Sequence, residues 1–396
     1  MAERTRTRRD YLVGTGALVG GGLLAGCSGG TDGESTSTTA STTTGTGETS
    51  TTSEASDGGP HAVSMAPVGD VTFESVPETW VASNGSWADM AIALGRDAPA
   101  ALVTPNRYHT EVYEEFDGID VNADDVTMLW PSGGLDKELF YSVGADVHVI
   151  DPNFITSRSE WTRSDIRQIA DDVGPFFGNT GFTHAYGWHD GYRYYSLYEE
   201  FETLAAVFQQ RERYEAFASL HESFLDDVQS RLPAESERPS IGILMTTSAE
   251  PTTFYPYPMN DGTAYKQYRD LGASSALTAA GIADFSQSGS TIDYEALLDA
   301  DPDKLFLWGG TGQFERMSRD EFEDSVLAFM TDHETASELT AVQNGDVYRG
   351  GGLYQGPIIN LVWTERAAWQ LYPDEFDRDA ELFDRARVES IVSGAF

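Results

Sequence analysis

The chain has 396 residues, and its 64 Asp and Glu against 25 Lys and Arg leave a formal net charge of −39. A field that negative excludes a nucleic-acid backbone as partner, because phosphate neutralisation needs a basic patch. About 40% apolar and 12% aromatic residues suffice for a sizeable core and exclude wholesale disorder, and the single cysteine, Cys27, excludes a disulfide framework or a thiolate-rich zinc site.

Residues 1–26 read as a targeting segment. Arg8-Arg9-Asp10-Tyr11-Leu12 resembles a twin-arginine export signal and leads into the apolar, Gly-rich run from Leu12 to Ala25. That run is short for a membrane span, which needs about 20 apolar residues. Leu24-Ala25-Gly26-Cys27 has the form of a lipobox, with Cys27 as the expected lipid anchor on the outer face of the cell membrane. Without residues 1–26 the chain keeps 21 basic and 62 acidic residues, a net charge of −41. From Ser28 to Pro60, 25 of 33 residues are Ser, Thr or Gly, so this stretch reads as a flexible spacer whose hydroxyls are candidate glycosylation positions.

Beyond Val71, short apolar runs alternate with helical patterns, the signature of parallel α/β construction. Predicted strands are Trp80–Ser83, Ala100–Thr104, Val126–Trp130 and Val147–Asp151 in a first block, then Ile241–Met245, Leu305–Trp308 and Val347–Arg349 in a second. Between them lies a helical stretch, broken near Gln209-Gln210, whose second part spans Arg211–Leu232 and ends at Pro233. The divisions expected are 1–26 signal, 27–66 lipid-anchored linker, 67–198 N-terminal lobe, 199–237 linking helical segment and 238–396 C-terminal lobe.

An internal repeat ties the blocks together. Leu135 to Ile150 and Ile292 to Leu307 align without a gap, matching Asp136 with Asp293, Glu138 with Glu295, and Asp146 with Asp303. Each copy predicts an Asp-capped two-turn helix, an acidic tight turn and a buried strand. Two copies, one per block, imply two Rossmann-like α/β lobes joined by one long helix.

Several stretches resemble the substrate-binding proteins of ABC importers for ferric siderophores, haem and cobalamin: Ala88 to Gly95, both repeat copies, Asp270-Leu271-Gly272-Ala273, and Ala341 to Tyr348. Ala145 stands where that family usually has Pro, and Phe176 to Tyr198 is longer and more aromatic than its usual counterpart. The resemblance implies a ligand cleft between the lobes, a small-molecule cargo such as an iron chelate or cobalamin-like cofactor, and a membrane permease with its ATPase as partners. It implies no catalysis, no cofactor and a monomer. Candidate ligand-binding residues at the strand ends and in the insert are Trp87, Arg107, Tyr108, Trp130, Trp188, Tyr192, Trp308 and Tyr354. Flat rings suit a large chelate, and Arg107 suits anionic oxygens. Glu160 and Glu315 are the positions that best match the family's permease-docking carboxylates.

Of seven histidines only His184 and His189, with Asp190, form a local cluster of metal-ligand type. No nucleophile elbow, phosphate-cradling loop or zinc-protease motif occurs. Readings from other classes are a secreted hydrolase using cleft carboxylates and a cell-surface sensor or adhesion module on the same fold. Only three basic residues are lysines (Lys137, Lys266, Lys304), and this acidic, Lys-poor composition resembles proteins of extreme halophiles. There the Debye length is about 3 Å at 1 M salt, and self-repulsion is screened.

Overall fold

The computed structural model describes residues 58–123, 126–310, 314, 317–350 and 352–396. Cys27, the signal segment and Glu315 lie outside them.

The described chain opens with an antiparallel hairpin, β1 (His61–Met65) and β2 (Gly69–Phe73), with His61 opposite Phe73. Val63, Met65, Val71 and Phe73 alternate inward, the period-two pattern of a half-buried strand. The hairpin begins within the span read as linker. Its turn is pinned to the body because the Ala66 amide donates to the Tyr195 hydroxyl, and Asn179 Nδ2 donates to the Ala66 carbonyl. The Ser/Thr/Gly composition stops at Pro60, and two buried alternating side chains were too short a run to register as a strand.

The N-terminal lobe is a parallel sheet in the order β5-β4-β3-β6, from β3 (Trp80–Ala82), β4 (Ala101–Leu102), β5 (Thr127–Met128) and β6 (Val147–Val149). Its helices are α1 (Gly85–Ala93), α2 (Lys137–Val143), α3 (Pro152–Arg158) and α4 (Arg163–Asp172). Two helices follow, α5 (Leu197–Val207) and α6 (Arg211–Ser230), with Gln209 at φ 53 in the break between them. At about 1.5 Å per residue, α6 carries the chain roughly 30 Å to the second sheet.

That sheet runs β11-β10-β7-β8, from β7 (Ser240–Thr246), β8 (Tyr255–Pro256), β10 (Lys304–Gly309) and β11 (Val347–Arg349); β9 (Ser274–Ser275) also pairs with β7, and only β8 is antiparallel. Its short helices are α7 (Lys266–Asp270), α8 (Ala276–Ala279), α9 (Phe285–Ser288), α10 (Tyr294–Ala300), α11 (Arg319–Phe322), α12 (Ala328–Asp332) and α13 (Thr340–Gln343). Every strand predicted in the two blocks is present. The architecture is two α/β lobes.

The repeat has a shared physical role in both lobes. Asp136 and Asp293 accept the amides of Glu138 and Ala296, capping α2 and α10. Asp146 accepts the amides of Glu78 and Thr79 just before β3, and Asp303 accepts the Ser240 amide and hydroxyl at the start of β7. Each turn carboxylate therefore sets the register at which the lobe's first strand enters its sheet. The matched glutamates, Glu138 and Glu295, are exposed.

The chain then crosses back. Helix α14 (Pro357–Leu371) packs on α7 of one lobe and α1 of the other, and α15 (Arg385–Ser393) packs on α6 and α1. One apolar cluster runs through both lobes, joining Trp80, Trp87 and Leu102 with Ile243, Phe306, Ile358 and Val362, while two smaller clusters lie behind the individual sheets. At the first turn of α14, Asp89 of α1 accepts the Ile358 and Ile359 amides at 3.0 and 3.1 Å and the Tyr113 hydroxyl at 2.7 Å. The residue preceding the helix is Gly356, where a Cβ would sit 2.6 Å from Asp89 Oδ2 and 2.7 Å from the Ser86 carbonyl. Burial pushes the Asp89 carboxyl up to about 7, against the opposing pull of its hydrogen bonds.

Because that value lies above the unfolded one, the folded state retains a proton between about pH 4 and 7 that the unfolded state loses, so this group's contribution to stability falls as pH rises through that window. Asp89→Asn, which cannot titrate, removes the dependence. In denaturant unfolding at pH 4.5 to 7.5, the stability of the native protein relative to Asp89→Asn is expected to fall by roughly 2–4 kcal/mol. A constant difference would contradict the assignment.

Candidate functional site

Ligands of open α/β sheets sit outside the carboxyl ends of the strands. In both lobes those ends face the lobe boundary, and the loops that follow them meet there. Arg107, after β4, lies with its guanidinium 5.7 Å over the Trp308 ring at the end of β10, and its Nε donates to the Gly310 carbonyl at 3.3 Å. Trp308 packs on Tyr257 at 5.3 Å, and Tyr354 meets Phe182 edge-on at 5.1 Å.

The aromatic insert crosses this boundary as a strap. On the N-terminal side, Tyr192 and Thr180 both donate their hydroxyl hydrogens to Asp151 Oδ2, at 2.5 and 2.9 Å, and Asp151 also caps α3 through the Asn153 amide. On the C-terminal side, the Thr263 and Ala264 amides donate to the carbonyls of Gly181 and Phe182, and Asn260 bonds to His184 N–H and Thr183 Oγ1. Gly262 is required here, since a Cβ would lie 2.4 Å from the Phe182 carbonyl oxygen. Trp188, His189, Tyr192, Tyr194 and His184 pack in succession within the strap, alternately edge-on and stacked. Burial lowers the His189 pKa to about 4 and lowers that of His184 as well. Among the described residues no group of three or more His, Cys, Asp or Glu has metal-holding geometry.

With the strap in place, the space among Ser83, Thr104, Thr180, Phe182 and Tyr354 is about 20 Å³, room for at most about one water. The open part of the boundary lies further along, toward β11. There a cavity of about 280 Å³ is lined by His109 and Glu111 from the N-terminal lobe, Trp308 and Tyr348 from the second sheet, Arg319 from α11, and Trp363, Arg366 and Trp369 from α14; Gln267, Glu323, Arg349, Gln370 and Arg378 add to its polar lining. Two wider grooves, about 360 and 490 Å³, flank the N-terminal lobe, the larger lined by Asn153 and Thr156 of α3 and by Trp188 and Tyr192 of the strap.

Of the residues singled out by sequence, Trp308 lines this cavity and Arg107 stacks on it. Trp188 and Tyr192 belong to the strap, 5.5 Å apart, and Tyr354 is buried against it. Trp130 is half-buried against Phe154. Trp87 and Tyr108 take other places. Trp87 is 1% exposed in the first turn of α1, and the Tyr108 hydroxyl is 3.0 Å from that of Tyr113, the Asp89 partner. Both stabilise the lobe boundary from inside. Glu160 is exposed at the turn between α3 and α4.

The arginines of the cavity carried no sequence signal, being scattered singly between 319 and 378. Around them, Arg366 and Arg385 pair with Glu115, and Arg385 also pairs with Glu365. Burial acts to raise the Glu111 carboxyl, but its contacts with His109 and the charge of Arg366 carry it below its usual value. Gly352 leaves room for His109, whose Nε2 would be 2.2 Å from a Cβ there.

Phe182→Ala is expected to cost about 3 kcal/mol, within the range for truncating a buried Phe. It should also speed amide hydrogen exchange at Thr263 and Ala264 at least tenfold; unchanged exchange would mean the strap is held elsewhere.

A model of the periplasmic binding protein family matches residues 147–352, more than half of the chain. No curated protein matches the chain in sequence. Among solved structures, a periplasmic binding protein from Veillonella parvula is 14% identical with a TM-score of 0.53, over 80% of this chain and 99% of its own. SirA of Staphylococcus aureus, complexed with staphyloferrin B, is 13% identical with a TM-score of 0.51, over 78% and 98%. FeuA of Bacillus subtilis, a triscatecholate siderophore binding protein complexed with ferri-bacillibactin, is 14% identical with a TM-score of 0.51, over 76% and 96%. With two α/β lobes and a cavity where their strand ends converge, the chain belongs to the periplasmic binding protein family.

Proposed function

We infer that this protein is the extracytoplasmic substrate-binding component of an ABC importer and captures an iron chelate for delivery to a membrane permease. The observation that carries the reading is the cavity at the lobe boundary, walled by His109 and Glu111 of the N-terminal lobe, by the second sheet and by α14, in a chain of this family. A site assembled from two lobes suits reversible capture, because each lobe supplies part of the contact surface. Siderophore complexes among the structural neighbours favour iron chelates over other cargo. The candidate ligand contacts are Arg107 and Trp308, with Trp188, Tyr192 and Tyr354 acting through the strap.

Lipidation of Cys27 would hold the body at the outer face of the membrane. Glu160 and Glu315 are proposed to meet the permease, one from each lobe. Saturable quenching of tryptophan fluorescence by at least one ferric chelate tests the binding role; absence of any response would refute it. Charge reversal of Glu160 and Glu315 together is expected to abolish uptake while leaving chelate affinity within twofold. Undiminished transport would remove both from the interface.

The charge excess makes a further demand. A body of net charge −41 repels itself at low ionic strength, and molar salt screens that repulsion. The melting temperature is therefore expected to rise by 10 °C or more between 0.1 and 3 M KCl, and equal values would contradict adaptation to salt.

A further inference from the structure

We propose that the cargo is a compact polycarboxylate, free or wrapped around iron, held by the arginines of the interlobe cavity. This rests on the importer reading and names the chemistry of its ligand. Across the chain acidic residues outnumber basic ones 64 to 25, yet among the described residues the cavity is lined by four arginines (Arg319, Arg349, Arg366, Arg378) and two carboxylates, Glu111 and Glu323. The local balance is the reverse of the global one.

The arrangement of these groups points to an anion. The guanidiniums of Arg319 and Arg378 lie 5.5 and 5.7 Å from the same Trp369 ring, so two like charges share one indole. Arg319 pairs with Glu323, whereas Arg378 has no ion-pair partner among the described residues. Arg366 is paired with Glu115, outside the lining. An anion in the cavity would give Arg378 a partner and accept planar, bidentate hydrogen bonds, which carboxylates do well.

A second observation comes from a neutral side chain. Gln267 is 1% exposed and lines the cavity. Its Oε1 accepts from Gln355 Nε2, which also donates to the Thr263 carbonyl, and Asn360 in turn donates to Gln355 Oε1. This chain fixes the amide orientation and leaves Gln267 Nε2 buried with no partner. A buried donor without an acceptor is costly, and a ligand oxygen would satisfy it.

Size narrows the class further. At about 280 Å³ the cavity falls just below the usual range of ligand sites, about 300 to 1,000 Å³. The strap fills the rest of the boundary, so a porphyrin or corrinoid disc has no room beside it.

The test is a titration of the protein in molar KCl, followed by tryptophan fluorescence, with ferric citrate, iron-free citrate, a neutral ferric trihydroxamate, haemin and cobalamin. Citrate, with or without iron, is expected to bind at least tenfold more tightly than the other three, and the two citrate arms tell the chelate from the free acid. Arg378→Gln and Arg319→Gln should each weaken it at least tenfold. Arg378 is exposed, so Arg378→Gln decides the matter if Arg319→Gln fails to fold. Preference for the trihydroxamate, haemin or cobalamin, or citrate affinity unchanged in Arg378→Gln, overturns the polycarboxylate while the importer reading stands. Failure of every compound to bind overturns both.

Discussion

Helix α14 has no local cap of its own. The residue before it is Gly356, and the space where a side chain would stand is filled by Asp89 and the Ser86 carbonyl. The carboxylate that receives its first amides comes from a helix 269 residues earlier in the chain, in the other lobe. A helix N-terminus carries roughly half a positive charge and several unpaired N–H groups, and a buried one must find an acceptor. Much else follows from that requirement. Tyr113 and Tyr108 are ordered to complete the carboxylate's hydrogen bonds, α1 is held against α14, and the lobe boundary gains a fixed point from which the cavity wall of Trp363, Arg366 and Trp369 extends.

From that fixed point the boundary divides into two regions of different character. Near β7 and β8 the strap is bonded to both lobes, and its rings leave no usable volume. Near β10 and β11 the boundary stays open and is lined with guanidinium and indole groups. Since the strap supplies contacts to each side, it restrains lobe separation alongside α6 and α14. Selectivity then comes from what the strap excludes as much as from what the arginines attract.

Much of the architecture was legible because it is built from local rules. Short apolar runs became strands, and the Asp136 and Asp293 caps, each two residues before a first-turn glutamate, became helix N-termini as their positions predict. The repeat's second aspartate was read only as turn chemistry, yet Asp146 and Asp303 each fasten the entry to a lobe's first strand, a contact that links residues 67 and 63 positions apart. The site was less legible for the same reason. Trp87 and Tyr108 follow strand ends, as ligand contacts do, but α1 turns them into the shared core. Arg319, Arg366 and Arg378 belong to different segments, and no spacing rule brings them together; only the path of α14 does. The compositional contrast of a basic cavity in an acidic chain can be seen only once the residues are in space.

The return of α14 and α15 to the first lobe also sets an order of assembly. The N-terminal half leaves the ribosome with its sheet complete but with the faces of α1 and α6 that will receive these helices still bare. Domains commonly fold as units, N-terminal first, during synthesis at about 5–20 residues per second. Here part of the shared core is supplied only when nearly the last residue has emerged, since Val388 and Ile391 of α15 pack in the cluster that runs through both lobes. An early stop in translation would therefore leave the core shared by the two lobes without these side chains.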